Sequence, residues 1–121
     1  MFTPPSVTPP HRVMIFGACR EAWYAATDTQ RADEALPALK QLVDAWKERG
    51  MRVLESFDDD FFLVGQPGSM QFAFFIIAEV PSLEALVDMM NVARTSSNGL
   101  RADRWFRFES RLGRRLFILD E

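Results

Sequence analysis

The chain has 121 residues, 14 of them basic and 17 acidic for a net charge of -3, which suits one hydrophobic core and leaves little for a second. No five-residue run of one sign occurs, which argues against nucleic acid or an anionic membrane surface as partner. One cysteine, Cys19, and one histidine, His11, exclude an internal disulfide and a Cys/His zinc set.

The first ten residues hold four of the seven prolines and read as a flexible Pro-rich arm, so residues 11–121 are expected to form a single domain. This start lacks the basic and apolar regions of a signal peptide, and no apolar run approaches the ~20 residues of a membrane span. A soluble, cytoplasmic protein is the expectation. From His11 to Cys19 a short apolar run suits a buried strand. Residues 20–29 read as a loop or turn ending in the helix cap Thr27-Asp28-Thr29.

A helix follows to about Arg49, with Leu36, Leu39, Val43 and Trp46 on its buried face, Leu42 alongside them, and Gly50 as its stop. Pro37 must either lie near its start or kink it, because proline lacks an N–H and its ring clashes with the preceding turn. Residues 51–57 form a second strand, broken by Asp58-Asp59-Asp60, and Phe61 to Val64 resume it. Gly65 to Ser69 turn the chain into a third strand, Gln71 to Val80. That stretch is apolar at most even and odd positions, so both of its faces need cover. Ser82 then caps a second helix with Leu83, Leu86, Val87, Met90 and Ala93 buried, and residues 95–99 end it. A last strand is read over residues 103–109, followed by an apolar tail at 116–119.

The order strand, helix, strand, strand, helix, strand predicts an α+β domain of ferredoxin-like βαββαβ type, an antiparallel sheet with two helices on one face. The other face would then carry an apolar patch beyond the ~400 Å² that a monomer tolerates. Back-to-back pairing in a homodimer, or a bound apolar ligand, would cover it.

Candidate chemistry is spread along the chain. In the last strand Trp105, Arg107, Glu109 and Arg111 alternate with Phe106 and Phe108. If the charged face lines a cleft, Arg107 or Arg104 anchors a carboxylate and Trp105 stacks on a ring; otherwise this is a solvated edge with internal ion pairs. His11 is either a general base or an exposed strand-end histidine, imidazole being the group that changes charge nearest neutrality. Tyr24 is a second candidate for handling a proton. Trp23 and Tyr24 either close the mouth of a cavity, where Trp23 contacts substrate, or staple the core. Asp58 to Asp60 suit a solvated turn better than a metal, since neighbouring side chains of an extended chain diverge. Cys19 suits a small buried hydrophobe. Eleven Phe, six Met and three Trp fit both a pocket for flat ligands and an interface between sheets.

This layout resembles the dimeric α+β barrel superfamily, on the element order, the two-sided strand from Phe72 to Val80 and the final stretch Arg104-Trp105-Phe106-Arg107-Phe108. The resemblance covers residues 11 to about 110. The superfamily includes muconolactone isomerases, cofactor-free monooxygenases and accessory proteins of aromatic catabolism. The chain also looks like small proteins of indole-acetate and related aromatic-acid degradation clusters, on Ser56-Phe57-Asp58-Asp59-Asp60 and the Gly65-Gln66-Pro67-Gly68 turn. What the resemblance implies is a homodimer that binds or transforms a small aromatic acid without metal or organic cofactor. The alternative is a non-catalytic accessory protein that assembles with itself or with a pathway enzyme.

Overall fold

A computed structural model of the chain describes residues 8–59, 64–65, 71–95, 101–114, 116 and 118. It is an α+β arrangement around one four-stranded antiparallel sheet of order β2-β3-β1-β4, with β1 at His11–Cys19, β2 at Arg52–Asp58, β3 at Phe74–Val80 and β4 at Phe106–Gly113. Helices α1 (Glu21–Ala25), α2 (Asp28–Gln30) and α3 (Leu36–Glu48) lie between β1 and β2. Helix α4 (Leu83–Val92) and the short α5 (Ala102–Trp105) lie between β3 and β4. The order is compatible with a ferredoxin-like fold.

Local chemistry accounts for the helix ends. Thr27 and Gln30 form a reciprocal capping box, each side chain accepting the other's backbone N–H at 3.1 and 2.9 Å. A π turn at Arg31–Ala35 precedes α3, and the Leu36 N–H reaches back to the Arg31 carbonyl. Pro37 sits in the first turn of α3. Its ring would crowd the carbonyl four residues earlier, and the wide turn gives that carbonyl room. The far end of α3 closes with two crossed hydrogen bonds, Gly50 N–H to Lys47 O and Met51 N–H to Trp46 O. Gly50 takes φ 101° there, a conformation that favours glycine, and the flanking Met51 and Trp46 are both buried. In α4 the Ser82 hydroxyl oxygen accepts the Ala85 N–H at 3.0 Å, as expected from the sequence.

Residues 20–29, expected as a loop or short turn leading to a helix cap, contain the helical turn α1 and the cap Thr27. The buried stripe of α3 is Ala35, Ala38, Leu42 and Trp46, while Leu36 is exposed and Leu39 and Val43 are half-buried. In α4 the buried residues are Leu86, Met89 and Ala93; Leu83 and Val87, expected inside, are exposed at 51% and 60%. These helices and one sheet face share a single core with Val13, Ile15, Ile76, Ala78, Val80 and Phe106. Residues 61–63 of the expected strand, residues 66–69 of the turn and most of the tail at 116–119 lie outside the described residues, while Val64 is exposed and belongs to no strand.

Candidate functional site: the open face of the sheet

Register decides which side chains share a face. Val13 pairs with Ala78 and Ile15 with Ile76, all buried under the helices. The intervening pairs, Met14 with Ile77 and Phe16 with Phe75, therefore point to the opposite face. On the outer strand Phe57 pairs with Phe75, because a bulge between Val53 and Glu55 shifts the register by one residue and turns Glu55 and Phe57 to this side. On the other edge Phe106 and Phe108 contact core rings, so Arg107, Glu109 and Arg111 face the open side.

The centre of this face is an aromatic ladder. Phe57 stacks on Phe75 at 4.8 Å, Phe75 lies 6.1 Å from Phe16, and Phe16 lies 4.7 Å from Phe72. Each neighbouring pair is within the range where ring contacts add to burial. Among the described residues no helix packs over the ladder. Phe57 is 44% exposed and Met14, Phe16, Phe72, Phe75 and Ile77 are half-buried.

Charges of both signs frame the ladder. Arg12 and Arg52 reach Glu79 at 3.8 and 2.9 Å, and Arg111 reaches Glu109 at 2.9 Å. The Arg111 guanidinium also lies 6.0 Å from the centre of the Phe16 ring, a cation–π distance. Arg107 is exposed and takes part in none of the ion pairs among the described residues. It stands opposite Ala18 on β1, diagonally next to Phe16.

The residues singled out in the sequence separate into three places. Trp105 is not on the last strand: it ends α5, is 2% exposed and packs in the core, because β4 begins only at Phe106 and runs on through Gly113. The Arg104 guanidinium covers the Trp105 ring at 4.5 Å. Trp23 is half-buried, 5.4 Å from the Phe106 ring, and the Arg31 guanidinium lies 5.4 Å from its centre. Arg31 also donates to the Trp23 and Tyr24 carbonyls. Thus Trp23, Arg104 and Trp105 gather at the end of the sheet where α1 meets α5. Tyr24, on the same helix, is 68% exposed. Arg107 belongs to the open face on the other side of the sheet.

His11 is at the opposite end. It is 7% exposed rather than solvated, with Nδ1 lacking a partner among the described residues. Eight residue steps of extended chain separate it from Cys19, which pairs with Phe106, a span of ~26 Å at ~3.3 Å per residue. One small substrate therefore does not touch both His11 and Tyr24. Asp103 holds Arg101 by two hydrogen bonds, at 3.0 and 2.7 Å, and this bonding together with the carboxylate charge raises the Arg101 pKa above its ordinary value.

What the sequence reading left unassigned is the ladder itself. Its signal was present in the apolar even positions Met14 and Phe16 of β1 and the odd positions Phe75 and Ile77 of β3. Phe57 was hidden, because the bulge reverses the parity of β2. Among the described residues no helix is long and apolar enough to cross a membrane, and no group of three or more His, Cys, Asp or Glu is placed to hold a metal ion. No protein-family model matches the chain, and no curated protein matches it.

Proposed function

We propose that the chain is a ferredoxin-like protein of the dimeric α+β barrel type, which pairs with a second copy across its open sheet face and binds a small planar aromatic acid there. The observation that carries this reading is the ladder Phe57, Phe75, Phe16 and Phe72 beside Arg107, which takes part in no ion pair among the described residues. The strand order β2-β3-β1-β4, with the helices of the described residues packed on one face, supports the fold assignment.

Two such faces brought together exclude water from the rings, and packed sheets stand ~10 Å apart, a gap that side chains from both must fill. Mixed charges at the rim, Arg12, Arg52 and Arg111 with Glu79 and Glu109, suit a two-fold interface, where each patch meets its own copy. A flat ring stacks on Phe16 and Phe72, and the guanidinium of Arg107 meets the carboxylate in a forked pair. The reading is one of binding. His11, Tyr24 and the buried Trp105 do not converge on the open face, so no proton-handling side chain is assigned to it.

A second reading, an assembly protein without a small ligand, rests on the same apolar face, since aromatic residues are also the substance of protein interfaces. Light scattering combined with thermal unfolding against a panel of aromatic acids, indoles and quinones separates the two. A dimer whose unfolding temperature rises saturably with one class supports ligand binding; a ligand at one hundred times its dissociation constant adds ~2.7 kcal/mol. A dimer with a flat response across the panel favours assembly alone, and a monomer with a flat response overturns both.

A further inference from the structure

The charges of the open face do not cancel evenly. Arg12 and Arg52 share Glu79, and Arg111 has Glu109. At the end nearest α1, Arg20 stands beside Arg107, both exposed, and neither takes part in an ion pair among the described residues. Arg20 follows the last residue of β1 and keeps its extended backbone, with φ -91° and ψ 171°, so it continues the series Met14, Phe16 and Ala18 on the open face. Its N–H donates to the Trp105 carbonyl at 2.8 Å, which carries the pairing of β1 with β4 one step beyond Cys19 and Phe106. Arg107 is opposite Ala18, so the two arginines are diagonal neighbours, roughly 7–8 Å apart at the backbone, a distance that two long side chains span.

The Arg20 guanidinium is held in place. Its Nε donates at 3.2 Å to the Phe106 carbonyl, part of the peptide group that leads into Arg107. One donor of the fork is thus spent on fixing the group, and the two terminal nitrogens keep their N–H groups for an acceptor. A cation fixed in this way loses less freedom on binding than a mobile one. Arg104 adds a third positive charge at this end, its guanidinium 4.5 Å from the centre of the Trp105 ring. Glu21, next in sequence to Arg20, pairs with neither arginine among the described residues. Glu55 of the open face is on β2, three strand spacings or ~14 Å from β4. Two like charges are therefore placed side by side, at a cost in repulsion, in a chain whose net charge is -3.

Resting on the reading of this face as a site for an aromatic acid, we infer that its ligand carries two anionic groups on one planar ring, a carboxylate held by Arg107 and a second acid held by Arg20. The ring lies over Phe16 and Phe72, beside which Arg107 stands. A monoanion fills one guanidinium fork and leaves the other charge unneutralised; a dianion fills both and removes their repulsion. Arg20 thereby sets the choice between ligands with one acid group and those with two.

The test is calorimetric titration of the full chain with benzoate, benzene-1,3-dicarboxylate and benzamide, repeated on Arg20→Gln, whose amide still has a donor for the Phe106 carbonyl, and on Arg107→Ala. The dicarboxylate should bind about tenfold or more tighter than benzoate, and benzamide weakest. Arg20→Gln should bring the dicarboxylate down to the affinity of benzoate and leave benzoate unchanged, while Arg107→Ala weakens both. The inference is overturned if the two acids bind the parent alike, or if folded Arg20→Gln binds the dicarboxylate as the parent does. In either case, benzoate binding that still depends on Arg107 leaves the aromatic-acid reading of the face standing, whereas binding by neither acid overturns both. Sedimentation of Arg20→Gln reads one further outcome: a weakened dimer with unchanged dicarboxylate affinity assigns Arg20 to contact with the second copy and overturns the inference.

Discussion

Trp46 donates its indole N–H to the carbonyl oxygen of Met89 across 2.7 Å, joining α3 to α4 in the interior, where both residues are fully buried. Met89 lies in the last turn of α4, where carbonyls run out of helical donors, and the Ala93 N–H turns to Asn91 O instead. The indole thus satisfies a group that water cannot reach.

Trp46→Phe should therefore cost more than the lost ring volume. Leaving the Met89 carbonyl buried and unpaired contributes about 1–3 kcal/mol of destabilisation. Urea unfolding checks this, with an unchanged m-value if the fold persists.

Gly17 lies on β1 opposite Phe74, and a methyl group added there would fall within the Phe74 ring. Gly17→Ala should destabilise by about 1–3 kcal/mol through overpacking. Adding Phe74→Leu should recover part of that loss, so a double-mutant cycle by chemical denaturation should show coupling between the two positions.

Phe75 sits at the middle of the ladder, between Phe57 and Phe16. Phe75→Lys puts a charge into the proposed interface of both copies at once. Sedimentation should show the parent as a dimer and the variant as a monomer that remains folded by circular dichroism. An unchanged dimer would remove the open face from the proposal.

Arg107→Ala should weaken binding of the aromatic acid by roughly tenfold, the scale of a charge-assisted hydrogen bond. Its exposure and its lack of an ion pair among the described residues predict a change in stability within about 0.5 kcal/mol. Calorimetric titration and thermal unfolding of the same samples read the two effects separately.

Much of the local structure was legible in the residues. Thr27, Ser82 and Gly50 mark helix ends through side-chain acceptors or a positive φ, and these are properties of a few consecutive residues. The apolar runs of β1 and β3 were equally plain. The faces of α3 and α4 were read less well. Leu83 and Val87 have the spacing of a buried stripe, yet of the expected residues Leu86 and Ala93 take the core, together with Met89, which was not expected there. Trp105 was misplaced for a related reason: one helical turn before β4 brings it into the interior instead of continuing the strand's alternation.

By itself the sequence determined the approximate places of the four strands and the two longer helices, the caps at Thr27 and Ser82, and the presence of a strand too apolar for a one-sided sheet. Those follow from interactions among neighbours in the chain. Only the tertiary structure decided that Phe16, Phe57 and Phe75 share a face and that Arg107 adjoins it. It also decided that His11 stands ~26 Å from the far end of its strand, at ~3.3 Å per residue. Register and bulges, which connect residues far apart in the chain, set those relations. A one-residue slip in any pairing would turn every side chain of that strand to the other face.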